Sequence, residues 1–174
     1  MPIYLHDDDV PDNFKFNDVV AIDCETLGLN PHRDRLCLIQ ISNGDGSAHL
    51  IKIRPEQKNM DSMKKILAPN LCSMLSDKKI TKLFHFARFD VAVLYSKYKV
   101  LTSPIFCTKI ASKLVRTYTD RHGLKNLVQE ILDIDISKRE QSSDWGTENL
   151  SESQKEYAAS DVLHLHKLMS NLEK

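Results

Sequence analysis

The apolar and polar positions divide the chain into a strand-rich first half and a helical second half. Three short apolar runs come first, residues 19–23, Leu36–Ser42 and residues 48–53, with Gly28, Pro31, Gly44 and Gly46 in the connections between them. Runs of that length, punctuated by turn residues, predict an antiparallel meander. Helix-like sequence follows over residues 60–75, interrupted near Pro69. Thr81–Phe84 then reads as a buried strand feeding a helix over Ala87–Tyr98. Further on, Leu124, Leu127, Val128, Ile131 and Leu132 recur at helical spacing, the apolar stripe of an amphipathic helix. Ala158, Val162, Leu165, Leu168, Met169 and Leu172 repeat the pattern, and Ser151 with Gln154 three residues later predicts a capping box in front of them. Strands, then strand–helix alternation, then helices predict a mixed sheet covered by helices in one α/β domain spanning residues 1–174.

Composition narrows the class. A chain of 174 residues, 41% hydrophobic and 28% charged with 5 Gly and 6 Pro, suits one globular domain and excludes fibrous or disordered designs. No apolar run approaches the ~20 residues of a membrane span. The acidic start, with Asp7, Asp8 and Asp9, lacks the basic-then-apolar order of a signal peptide. The expectation is a cytoplasmic protein with no membrane partner. Cys24, Cys37, Cys72 and Cys107 form no Cys-x-x-Cys pair, so they are expected as small buried thiols in a reducing compartment. Net charge is zero, but it sums to −4 over residues 1–18, +5 over 19–108, +3 over 109–139 and −4 over 140–174. Solvated helix faces account for most of these charges. A basic middle also suits a short nucleic-acid substrate, which needs few phosphate contacts.

The candidate chemistry lies in the acids. Asp23 and Glu25 end the apolar run 19–22, and residues i and i+2 of a strand share a face. Two carboxylates side by side there repel unless something positive separates them. An acid-x-acid tripeptide arises by chance about three or four times in such a chain, so position gives this one its interest. Asp90 follows the strand Thr81–Phe84 among apolar residues, where the helix dipole would also favour an acid. Tyr157 and Asp161 are four apart on the last helical segment and share a face. Four acids from three elements, all oxygen donors, describe a site for hard octahedral cations. Two Mg²⁺ or Mn²⁺ ions in such a site serve phosphodiester hydrolysis. Tyr157, near pKa 10 when unperturbed, is a poor base alone but can orient or deprotonate a metal-bound water that is already acidified. His164 and His166 point apart on a helix and make no metal pair. Gly44–Gly46 is a turn without a phosphate-loop pattern, and Ser142 and Ser143 have no nearby His for a triad.

In the order Asp23-x-Glu25, His85-x-x-x-Phe89-Asp90 and Tyr157-x-x-x-Asp161, these residues resemble the three motifs of DEDD-superfamily exonucleases, Tyr-containing branch. Residues 141–145 and 154–162 are similar to the ribonuclease D group; residues 21–36, 106–112 and 117–124 more closely resemble nanoRNase C, and the likeness runs from about residue 3 to 172. The resemblance implies a ribonuclease H-like fold with a five-stranded mixed sheet flanked by helices. It implies a 3′-to-5′ exoribonuclease acting on short single-stranded RNA, dinucleotides included, and releasing nucleoside 5′-monophosphates. Asp23, Glu25, Asp90 and Asp161 would be the metal ligands for two Mg²⁺ or Mn²⁺ ions, and Tyr157 would complete the catalytic set. Thr26 and Leu27 match positions that contact the terminal nucleotide, with His85 and Phe86 as further substrate contacts. A homo-oligomer is also implied. The chain departs from the pattern in three places. The extra helical domains of ribonuclease D are not expected within these residues, and short substrates are expected over structured ones. It stops at Lys174, where nanoRNase C relatives continue, which counts against their ring assembly. Glu148-Asn149-Leu150 stands where ribonuclease D members often have Arg-Pro-Leu. Two rival readings are a DNA-trimming or repair exonuclease and a catalytically silent nucleic-acid-binding module; the intact five-residue set argues against the second.

Overall fold

The computed structural model describes residues 2–55, 67–137 and 139–174. The strands are β1 (Ile3–Asp7), β2 (Val19–Thr26), β3 (Leu36–Ser42), β4 (Ala48–Lys52), β5 (Thr81–Phe84) and β6 (Ile105–Cys107). The helices are α1 (Pro69–Ser76), α2 (Ala87–Tyr98), α3 (Thr108–Val115), α4 (Leu124–Leu132), α5 (Glu152–Leu163) and α6 (Leu165–Leu172). The strands form one sheet in the order β1-β4-β3-β2-β5-β6. β2, β3 and β4 are the expected antiparallel meander, and β5 pairs parallel with both β2 and β6.

The sheet has six strands where five were expected. The N-terminal Ile3–Asp7 pairs parallel with β4, from Ile3 opposite Ala48 to Asp7 opposite Lys52. This edge strand leaves Tyr4 and Leu5 half exposed, so it carries no apolar alternation to announce it. Backbone pairing, which any sequence can supply, holds it in place.

Every residue of β3 is buried, as befits an inner strand covered on both faces. On one face Val20, Ile22 and Cys24 of β2 pack with Leu71, Leu75, Val93 and Leu94 of α1 and α2. On the other, Ala21 and Leu83 pack with Leu127, Val128, Ala159, Val162, Leu165 and Leu168 of α4, α5 and α6. The period of two along β2 thus assigns its even residues to one helical layer and its odd residues to the other. Lys82 is fully buried, with its Nζ donating to the carbonyls of Asp77 (2.6 Å), Ile80 (2.7 Å) and Ser103 (2.5 Å).

Two helix boundaries differ from the sequence reading. The apolar stripe at the C-terminus spans two helices, α5 and α6, which meet at His164 with a one-residue break. The expected helix over 60–75 is seen as α1 from Pro69; residues 60–66 lie outside the described residues. The Ser151 capping box is present: Ser151 Oγ accepts from the Gln154 N–H, and Gln154 Oε1 accepts from the Ser151 N–H. Cys24, Cys37 and Cys72 are buried free thiols as expected, and Cys107 is half-buried. No described helix is long and apolar enough to cross a membrane.

Candidate active site

β2 delivers the first two acids. Asp23 and Glu25 follow Ala21 onto the face covered by α5, because all three are odd positions of one strand. The register shifts between Glu25 and Thr26, so the ladder with β3 breaks directly after the second acid. α5 supplies the third. Ala158, Ala159 and Val162 are small or branched residues that seat the helix on the sheet, and Asp161 comes with them. One oxygen from each of Asp23, Glu25 and Asp161 can be chosen so that all three lie within 4.8 Å of one another.

Asp90 reaches the same centre from the opposite layer. It lies in the first turn of α2, is 3% exposed, and interacts with the backbone and thiol of Cys24 on the even face of β2. The chain turns from β5 into α2 through Phe86, held at φ 69° and ψ 44°. A left-handed conformation is unusual for a bulky side chain and costs about 1–2 kcal/mol. The strain sits one helical turn before a candidate ligand.

Burial and mutual repulsion keep protons on these acids. Loss of solvation raises Asp161 to about 7 and Asp90 to about 8. Burial, with the charges of Asp161 and Asp90, raises Glu25 to about 9. Asp23 is pushed well above the carboxylate range by burial and then by Asp90, Asp161 and Glu25. Among the described residues none of the four forms an ion pair with Lys, Arg or His. Partly buried carboxylates gathered this closely without a protein cation need an external one to ionise together. The donor set is all oxygen, so Asp23, Glu25 and Asp161 fit Mg²⁺ or Mn²⁺ on chemistry as well as on placement, and Asp90, outside that close trio, fits on chemistry.

Tyr157 stands one turn before Asp161, with its hydroxyl directed at that carboxylate; burial and then the charge of Asp161 raise the phenol above its usual value. The Trp145 ring lies against it, centroids 5.9 Å apart at 37°. Tyr157 also lines a cavity of about 420 Å³ along α5, with Ile136, Arg139, Ser160 and His164.

Of the expected substrate contacts, Thr26 and Leu27 follow directly after Glu25, and His85 and Phe86 lie between β5 and α2. Thr26 turns its hydroxyl inward to the Gly28 carbonyl, while Leu27 is half exposed. Leu27 lies over Gly146, where an added Cβ would come within 2.9 Å of its Cδ2. His85 Nδ1 is 2.9 Å from Thr108 Oγ1, and burial, with Lys109 nearby, lowers its pKa to about 4. At neutral pH it is therefore uncharged and offers hydrogen bonds rather than a cation. Phe86 is 41% exposed, with Lys109 Nζ 4.2 Å from its ring centroid and the Arg88 guanidinium 5.7 Å away. Sequence reasoning missed Lys109 and Arg88, which nothing in the pattern separates from other surface cations. The His166 Nε2 lies 3.1 Å from the Val19 carbonyl oxygen.

A mixed sheet with three acids converging at one centre is the geometry on which comparison with known proteins gives the family. The 3′-5′ exonuclease family model matches residues 9–174, and the chain belongs to that family. It is 31% identical over 153 residues to ribonuclease D of Granulibacter bethesdensis, covering 88% of this chain and 36% of that protein. The chain thus spans little more than a third of such a relative's length. A structure of Brucella melitensis NrnC bound to pGG superposes with a TM-score of 0.89 at 58% identity, covering 99% of this chain and 80% of that one. NrnC with bound Mg²⁺ matches with a TM-score of 0.87 at 57% identity, covering 99% and 81%.

Proposed function

We propose that this chain is one 3′-to-5′ exonuclease domain, residues 1–174, that trims very short RNA, dinucleotides included, to nucleoside 5′-monophosphates. The observation that carries this reading is the convergence of Asp23, Glu25 and Asp161 within 4.8 Å, with Asp90 buried against Cys24 behind them. The likeness to NrnC bound to pGG supports the choice of a dinucleotide-sized substrate.

Asp23, Glu25, Asp90 and Asp161 would hold two divalent ions, Mg²⁺ or Mn²⁺. When bound, such ions acidify water and offset charge on the phosphodiester and the leaving 3′ oxygen. The chain's own residues do the rest. Tyr157, with its phenol kept protonated, orients the attacking water by hydrogen bonding and is itself held by Asp161 and the Trp145 ring. Leu27, half exposed beside the centre, packs against the terminal nucleotide, and Thr26 fixes the backbone there through Gly28. His85 gives a neutral hydrogen-bonding group, and Phe86 an aromatic face with Lys109 and Arg88 at hand for phosphate. The exposed apolar outer side of α3 and its exit, Ile110, Leu114, Val115 and Tyr118, suits a homo-oligomer. Four free thiols suit a reducing cytoplasm.

The test is incubation of the protein with a 5′-labelled RNA dinucleotide, a longer oligomer and their DNA counterparts in Mn²⁺. Release of the 3′ nucleotide, lost with EDTA and in Asp90→Ala, is expected. No release from any substrate, or undiminished cleavage by Asp90→Ala, would reject the reading. Faster cleavage of DNA would move the substrate class to DNA trimming.

A further inference from the structure

Gln40 sits at the centre of β3 and is wholly buried, yet neither its side-chain nitrogen nor its side-chain oxygen has a hydrogen-bond partner among the described residues. Its neighbours make that costly. β3 reads LCLIQIS, buried throughout, and an apolar residue at position 40 would complete the run. An orphaned buried amide forfeits about 1–3 kcal/mol. Unsatisfied groups of this kind call for a partner that the resting structure does not supply.

The register says where that partner lies. Gln40 is the direct cross-strand partner of Asp23 on β2. Directly opposed residues of an antiparallel pair project to the same face, with Cβ atoms about 4.5–5.5 Å apart. Gln40 therefore shares the face of Asp23, Glu25 and the overlying α5, one strand further from the sheet's parallel half. A carboxylate has lone pairs for several donors, and a side-chain amide N–H beside it is a donor of the kind such an oxygen accepts from.

We propose that Gln40 is a positioning residue for Asp23: its side-chain N–H holds the Asp23 carboxylate, directly or through one water, when a divalent cation is bound there. The inference rests on the metal-dependent reading above. Gln40 touches neither substrate nor ion; it limits the rotation of a ligand. Outer partners of this kind typically change metal affinity or activity by about 10–100-fold.

The test compares Gln40→Met and Gln40→Leu with the natural protein by calorimetric Mn²⁺ titration, thermal melting in EDTA, and dinucleotide kinetics. Because the amide has no partner in the resting structure, both variants should melt in EDTA at or above the natural temperature. Mn²⁺ binding should weaken about 10-fold or more, and kcat should fall with KM for the dinucleotide within two-fold. Mn²⁺ affinity and kcat both within two-fold of natural would overturn the proposal. So would a large loss of melting temperature in both variants, which would make Gln40 a structural residue of the resting fold. If the natural protein itself takes up no Mn²⁺, the failure belongs to the metal-dependent reading instead.

Discussion

Asp161→Asn should make the metal-free protein more stable and the metal-loaded protein less so. Asn keeps the shape of the side chain and can still accept from Tyr157, so the change removes charge and little else. Burial raises Asp161 from 3.8 to about 7, a shift of about three units, and each unit is worth 1.36 kcal/mol. Counted in full, the ionised side chain costs the metal-free fold about 4 kcal/mol. The sign follows from proton release: the unfolded chain gives up this proton near pH 4, the folded one near 7. The associated stability is therefore intact below pH 4 and lost as pH rises towards and through 7. Relaxation and interaction with the neighbouring acids reduce the figure. Even a quarter of it, about 1 kcal/mol, raises Tm by about 2–4 °C in a chain of this size. Thermal melts in EDTA at pH 8 should place Asp161→Asn above the natural protein, with the gap closing at pH 4. Adding Mn²⁺ should invert the order at pH 8. A variant that melts at or below the natural protein in EDTA at pH 8 would refute the electrostatic account.

Tyr157→Phe should lower kcat for dinucleotide cleavage about 10²-fold while calorimetric Mn²⁺ affinity stays within two-fold, since the phenol is assigned to water rather than to the ions. Lys82→Met should remove three charge-assisted hydrogen bonds made by a buried ammonium and cost about 2–4 kcal/mol, read as a Tm lower by about 5–15 °C with the remaining activity normal per folded molecule. Phe86→Gly should relieve the left-handed backbone and leave Tm unchanged or higher, while KM for the dinucleotide rises about 10-fold. A fall in Tm with unchanged KM would remove Phe86 from the substrate-contact set.

Much of the sheet was legible because burial writes itself as apolar runs: Leu36–Ser42, Thr81–Phe84 and the meander were each readable from composition and turn residues. The acids were legible as a set because each ends or borders such a run. What the sequence hid depended on contacts without a periodic signature. The edge strand Ile3–Asp7 is held by backbone pairing. The break at His164 interrupts a stripe whose apolar spacing continues unbroken. Lys109 is one cation among many until the fold lays it over Phe86. Gln40 is a single polar letter in LCLIQIS, and its interest appears only when the register sets it opposite Asp23.

Asp90 and Asp161 hang from helices on opposite sides of the sheet, and the acids of β2 lie between them. Ions that bridge this set would clasp the two helical layers to each other through the middle strand. Cation supply would then govern how long the molecule survives as well as how fast it works. Under metal scarcity the layers would part more readily, and proteases would meet the enzyme before its substrate does.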